Sequence, residues 1–181
     1  MDHVESLGLR IAFEQRGEGA PLLLLHGAFS DRRAWRRQLD ALSDEHRVVA
    51  WDAPGCGRSD APPASFRLPE YADCLAGFIE ALELGRPHVL GSSFGGGLAL
   101  ELYRRHPGLP RTLLLASAYA GWAGSLPPAE VERRLERALR EAELPPEQWV
   151  RGYLPSFFAG SPPPELVEEV MTARLRAIFP A

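Results

Sequence analysis

Five residues, Gly91-Ser92-Ser93-Phe94-Gly95, hold the part of this sequence best equipped for chemistry. A short β-type run, Pro87-His88-Val89-Leu90, leads into them, and a helix-like run from Gly97 to Arg105 leads out. Gly-x-Ser-x-Gly between strand and helix describes a nucleophile elbow, a turn that pushes a serine hydroxyl clear of the backbone so that it can attack a carbonyl carbon. The glycines are a steric requirement. The serine must adopt a strained conformation, and the chain two residues to either side has no room for a side chain. Ser93 has glycine at both of those positions and Ser92 does not, so the spacing selects Ser93. Upstream, Pro21-Leu22-Leu23-Leu24-Leu25-His26-Gly27 is an apolar strand running straight into a His-Gly turn.

The elements that would position these loops follow from periodicity. Val4 to Leu7 and Leu9 to Gln15 read as two early strands with Gly8 at the turn. Leu22 to Leu25 is apolar throughout, as in a strand covered on both faces. Asp31 can cap a helix that carries Trp35, Leu39 and Leu42 on one side. Arg47 to Trp51 is the next strand, followed by a loop rich in proline and glycine. Pro69 suits the first turn of a helix whose apolar face is Tyr71, Leu75, Phe78, Ile79 and Leu82, with Gly85 as the stop. The strand to Ser92, the elbow, its helix and a strand from Arg111 to Ser117 complete the alternation. Strands and helices alternating at this length predict right-handed crossovers and an α/β fold, a mostly parallel sheet with helices on both faces.

After residue 118 the pattern turns wholly helical. Val131, Leu135, Ala138, Leu139 and Ala142 mark one amphipathic helix behind Pro127-Pro128. A short piece around Gln148 to Tyr153 follows, then a helix with Leu166, Val170, Met171, Leu175 and Ile178. The expected organisation is a core over residues 1–118 and a partial helical lid over 119–181. Trp122, Trp149, Phe157 and Phe158 are candidates for an apolar pocket in that lid, although aromatic residues on such helices more often serve packing.

Composition narrows the function classes. The 181 residues fit one domain, and a net charge of −4 offers no basic footprint for nucleic acid. Arg32, Arg33, Arg36 and Arg37 fall on one expected helix and read as a solvated face. The two cysteines, Cys56 and Cys74, make neither a disulfide framework nor a zinc pattern, and no cofactor or metal is implied. No apolar stretch is long enough for a membrane span and the N-terminus is not a secretion signal, so a cytoplasmic protein without membrane partners is expected.

Three segments taken together, His26-Gly27, Asp52-Ala53-Pro54-Gly55-Cys56-Gly57-Arg58-Ser59 and Gly91-Ser92-Ser93-Phe94-Gly95-Gly96, resemble the α/β-hydrolase superfamily, most closely its bacterial esterase and enol-lactonase-like branch. The resemblance implies that Ser93 is the nucleophile. It implies that the backbone N–H groups of Phe94 and Ala28 form the oxyanion hole, and that His26, Gly27, Gly91 and Gly95 support these loops. The stretch from Asp52 to Ser59 then serves as a structural turn, with Asp52 bonded to nearby backbone. The implied activity is that of a serine hydrolase acting on a small carboxylic ester or lactone. A serine at position 93 argues against the dehalogenase and epoxide-hydrolase branches, which use aspartate. Alternatives of the same fold are a C–C hydrolase, a cofactor-free haloperoxidase or a non-catalytic binding protein.

In such enzymes the acid and the histidine follow the serine in the chain. Here Ala118-Tyr119-Ala120-Gly121 offers no carboxylate, and none of the five histidines suits the role. His88 starts the strand that ends at Ser92, about 15 Å away at the opposite edge of the sheet. His106 closes the helix behind the elbow, about 20 Å away. His46 also precedes its strand, His3 is near a terminus, and His26 belongs to the oxyanion loop. The expectation is therefore an N-terminal portion of a longer hydrolase, with the C-terminal part of the sheet missing and little activity of its own. The last strand would be an exposed edge through which the chain could self-associate.

Overall fold

A computed structural model of the chain describes residues 2–118, 121, 123, 125–145, 148, 152, 160–165, 167 and 168. Six strands, β1 (Asp2–Ser6), β2 (Leu9–Arg16), β3 (Ala20–Leu25), β4 (His46–Trp51), β5 (His88–Ser92) and β6 (Thr112–Ala116), form one sheet in the order β1-β2-β4-β3-β5-β6. β1, β2 and β4 pair antiparallel in turn, while β4, β3, β5 and β6 run parallel. Among the described residues the helices that accompany them are α1 (Arg36–Leu42), α2 (Leu68–Ala81), α3 (Phe94–Arg105) and α4 (Pro128–Ala142). The expected α/β architecture is present.

Alternation along the strands divides the core. Leu23, Leu25, Val49, Trp51 and Val89 point to one face, where they meet Leu75, Phe78 and Ile79 of α2 and Leu98 and Leu102 of α3. Phe78 sits at the centre, with its ring 5.6 Å from that of Phe13 and 5.7 Å from that of Trp51. Leu22, Leu24, Val48 and Ala50 point to the other face and pack against Leu39 of α1. A strand buried on both sides has no polar alternate positions, which is why residues 22 to 25 are four consecutive leucines.

The helices on opposite faces also place the site. The chain leaves β3 by α1 on one face, then crosses back over β3 by α2 on the other face to reach β5. The loops after β3 and β5 therefore diverge from neighbouring strands, and their divergence opens a crevice at the C-terminal edge of the sheet.

Three expectations change. The helix capped by Asp31 begins as a 3₁₀ turn, Arg32–Trp35, before α1 proper; Asp31 Oδ1 accepts the Arg33 amide at 2.9 Å. α3 starts at Phe94, three residues earlier than periodicity indicates, because glycines at 95–97 hide the helical signature. The arginines at 32, 33, 36 and 37 are not one solvated face. Arg32 is buried and paired with Asp52, Arg33 is half-buried on Asp31, and only Arg36 and Arg37 are exposed.

α4 forms where expected, yet Leu135 and Leu139 lie 53% and 60% exposed, so these two leucines do not rest on the sheet. The helices expected around Gln148–Tyr153 and over Leu166, Val170, Met171, Leu175 and Ile178 fall largely outside the described residues, as do Trp122, Trp149, Phe157 and Phe158. Among the described residues β6 is the last strand of the sheet, and Leu114 and Leu115 on its two faces are nearly half exposed. Among the described residues no helix is long and apolar enough to cross a membrane.

Candidate active site

Ser93 occupies a conformation that L-residues avoid, φ 51° and ψ −112°, between the end of β5 and the start of α3. Its amide donates to the Ala116 carbonyl of β6 at 2.9 Å. Its own carbonyl accepts the Gly96 and Gly97 amides at 2.9 and 3.2 Å and so begins the helix. The strained residue is held from both sides, the condition under which strain persists.

The space around the turn accounts for its flanking glycines. A Cβ at position 91 would come within 2.2 Å of the Gly95 carbonyl oxygen. One at position 95 would come within 2.3 Å of the Leu25 carbonyl oxygen and 2.8 Å of that of His26. The end of β3 thus lies directly against the elbow. Beyond it, a Cβ on Gly27 would stand 3.5 Å from the Ser93 Cβ. Ala28 is the next residue of that loop and is exposed. Phe94 opens α3, so its N–H is among those that a helix leaves without an intrahelical acceptor.

His26 is buried, with both ring nitrogens engaged. The Ala53 amide donates to Nε2 at 3.0 Å, which makes Nε2 the acceptor, and Nδ1–H then donates to the Gly27 carbonyl at 2.8 Å. Burial holds the imidazole below its ordinary pKa, against the opposing pull of Asp52 and Asp31, so it stays neutral. With its acceptor nitrogen turned to backbone, His26 ties two loops together and has no lone pair left for the Ser93 proton.

Asp52 anchors the second of those loops. Its buried carboxylate accepts the Arg32 amide at 2.8 Å and the Arg58 amide at 2.9 Å, and pairs with the Arg32 guanidinium. Burial pushes this carboxyl upward while the amides and the guanidinium pull it back. The expected backbone bonding of Asp52 is present. The partnership with Arg32 is additional, and periodicity alone does not reveal it.

The other histidines stay away from the elbow. His46 and His88 begin β4 and β5 at the far edge of the sheet, and His88 Nδ1 lies 2.7 Å from Thr112 Oγ1. His106 Nε2 lies 2.8 Å from Asp73 Oδ1 behind α3. Among the described residues no side chain is hydrogen-bonded to the Ser93 hydroxyl, and no group of His, Cys, Asp or Glu is arranged to hold a metal ion. A cleft of about 500 Å³ opens beside Ser93 along α3, lined largely by apolar groups that include Leu68, Phe94 and Leu100.

A family model described as the alpha/beta hydrolase fold matches residues 20–154, about three quarters of the chain. The chain belongs to this family. The α/β-hydrolase fold also appears in solved relatives. A thermophilic esterase from Thermogutta terrifontis, in a malate-bound structure, superposes with a TM-score of 0.83 at 30% identity, covering 98% of this chain and 68% of that one. An esterase from Exiguobacterium antarcticum gives 0.82 at 26% identity, covering 97% and 68%. Among curated proteins, 2-hydroxymuconate semialdehyde hydrolase of Pseudomonas sp. strain CF600 is 37% identical over 112 residues, 60% of this chain. The chain spans 40% of that relative's length.

Proposed function

We propose that the protein is a serine hydrolase that cleaves a carboxylic ester or lactone, with Ser93 as nucleophile. The observation that carries this reading is the strained backbone of Ser93 at the N-terminus of α3, against the Gly27 loop. A structural serine has no use for such a conformation. A nucleophile does, because the turn lifts its oxygen out of the chain.

In the proposed reaction the Ser93 oxygen bonds to the carbonyl carbon and its proton goes to a base. The negative charge that develops on the carbonyl oxygen rests on the backbone N–H groups of Phe94 and Ala28, helped by the positive end of the α3 dipole. The C–O bond then breaks, the alcohol leaves with a proton, and water releases the acid from the acyl-serine. The histidines at 3, 26, 46, 88 and 106 are not placed to act as that base, so the chain alone is expected to turn over slowly.

The likeness to 2-hydroxymuconate semialdehyde hydrolase supports a second reading, in which the same serine and donors act in C–C bond hydrolysis. Retention of the whole elbow speaks against a purely binding role.

The test supplies the base from solution. With 4-nitrophenyl butyrate and added imidazole, intact-mass spectrometry should find a butyryl adduct on Ser93 that the Ser93→Ala variant lacks. Equal behaviour of the two proteins would remove the nucleophile assignment. Hydrolysis of a 2-hydroxy-6-oxo dienoate in preference to esters would favour the second reading.

A further inference from the structure

One glycine of the elbow region lacks the steric reason that its neighbours have. Cβ atoms at positions 91, 95 and 96 would lie 2.2–2.4 Å from other atoms, but at Gly97 nothing beyond the helix's own neighbouring backbone lies within 4 Å among the described residues. Gly97 is in the interior of α3, where glycine is the poorest residue short of proline. Neither close packing nor a positive φ asks for glycine here. Gly97 instead forms part of the wall of the cleft beside Ser93.

Gly97, Leu100, Glu101 and Arg104 follow one another at helical spacing along a single stripe of α3, and all four line the cleft that begins at Ser93. Leu68 and Phe94 supply further apolar surface. Leu68 and Leu100 are 38% and 37% exposed, so the groove is lined with unsatisfied apolar groups. Its far end is polar: Arg104 Nε and Nη2 bond both carboxylate oxygens of Glu101 at 2.7 and 2.6 Å. At 1.5 Å per residue, Gly97 lies about 6 Å and Glu101 about 12 Å along the axis from Ser93. An extended alkyl chain zigzags, so bonds of about 1.5 Å advance it only about 1.25 Å each, and that length takes a chain of roughly nine or ten carbons.

Resting on the proposed role of Ser93, we infer that this groove holds a medium-length, unbranched apolar chain of the substrate, and that Gly97 sets the access to it. The carbonyl lies at Ser93, the chain passes over bare backbone at Gly97, and its end stops at the Glu101–Arg104 pair. A side chain at 97 would stand in the path about one turn from the nucleophile, leaving room for a short acyl group and excluding a long one.

The test avoids the chemistry by using Ser93→Ala as the parent, so that ligands stay intact. Methyl octanoate and methyl acetate are titrated while backbone amide shifts are followed by NMR. The parent should bind methyl octanoate about ten-fold or more tightly than methyl acetate, given the extra methylenes buried. Perturbations should follow Phe94, Gly97 and Leu100. Adding Gly97→Leu should remove the preference for octanoate. Adding Gly97→Ala should weaken it less while raising Tm by about 2–4 °C, which separates blocked access from damage to the helix. Octanoate binding within two-fold of the parent in the Gly97→Leu protein would overturn the inference, as would a parent with no preference for the longer ester. Because no Ser93 hydroxyl is present, either result stands apart from the acyl-adduct test of the hydrolase reading.

Discussion

The amide of Ala53 donates to His26 Nε2 across 3.0 Å, and through this bond the loop after β3 is tied to the loop after β4. The imidazole must be neutral to accept it. Burial supplies that neutrality by holding the pKa below the ordinary value of 6.5, so the unfolded chain takes up a proton more readily than the folded one. The stability contributed is complete above about pH 6.5 and is lost as the pH falls toward the depressed folded value. Thermal unfolding from pH 7.5 to 5.0 should therefore show a loss of Tm that is smaller in His26→Gln. Asp52, pushed upward by burial, works in the opposite direction in both proteins. Parallel curves for the two proteins would refute the assignment.

The Arg32–Asp52 pair lies just beneath this junction. Removing one partner of a buried ion pair strands the other charge, at a cost of about 3–5 kcal/mol. Arg32→Met and Asp52→Asn should each lower the urea midpoint by a large part of the total stability. Asp52 also holds the Arg58 amide, so its replacement should be the more damaging. The double variant Arg32→Met with Asp52→Asn should be less destabilised than the two single effects added. Strict additivity would mean that the two side chains do not act as a pair.

Much of this arrangement is legible in the amino-acid sequence, and the rest is hidden for definite reasons. The sheet announces itself because β3 and β4 are apolar runs of strand length and α2 repeats its apolar residues at helical spacing. The elbow announces itself because Gly91 and Gly95 bracket Ser93. Arg32 does not, since nothing local distinguishes an arginine that turns inward to a carboxylate twenty residues away from its exposed neighbours Arg36 and Arg37. Gly97 escapes for the reverse reason: beside two glycines that packing demands, a third reads as more of the same. The 3₁₀ start at Arg32–Trp35 is likewise invisible, because Asp31 caps either kind of turn equally well.

Strain at Ser93 should be measurable. At φ 51° and ψ −112° a Cβ is costly and glycine is not, so Ser93→Gly should stabilise the fold by about 1 kcal/mol, or roughly 2–4 °C in Tm. Ser93→Ala keeps the Cβ and should gain nothing comparable. Matching melting points for the glycine and alanine variants would show that the backbone at 93 carries no strain.

At Gly95 the opposite is expected. A methyl group there would come within 2.3 Å of the Leu25 carbonyl oxygen, which belongs to β3 and cannot move without disturbing the central sheet. Gly95→Ala should cost about 3 kcal/mol, at the upper end for overpacking, and should also shift the amide resonances of the His26–Gly27 loop. A variant as stable as the parent would mean that elbow and β3 are not in the contact described.

Cys56 lies in the loop anchored by Asp52, and its thiol is pushed up to about 12, first by burial and then by the negative charges of Asp52 and Asp31. At pH 8 only about one molecule in 10⁴ would carry the thiolate, the form that attacks disulfides. Cys74 is buried and shifted the same way, again chiefly by burial. With Ellman's reagent at pH 8 the native protein should therefore release almost no colour over minutes, and both thiols should react at once in urea. One equivalent released quickly from the folded protein would show that the loop around Cys56 is open to solvent, and the bonds that Asp52 makes to the Arg32 and Arg58 amides would then have to be reconsidered.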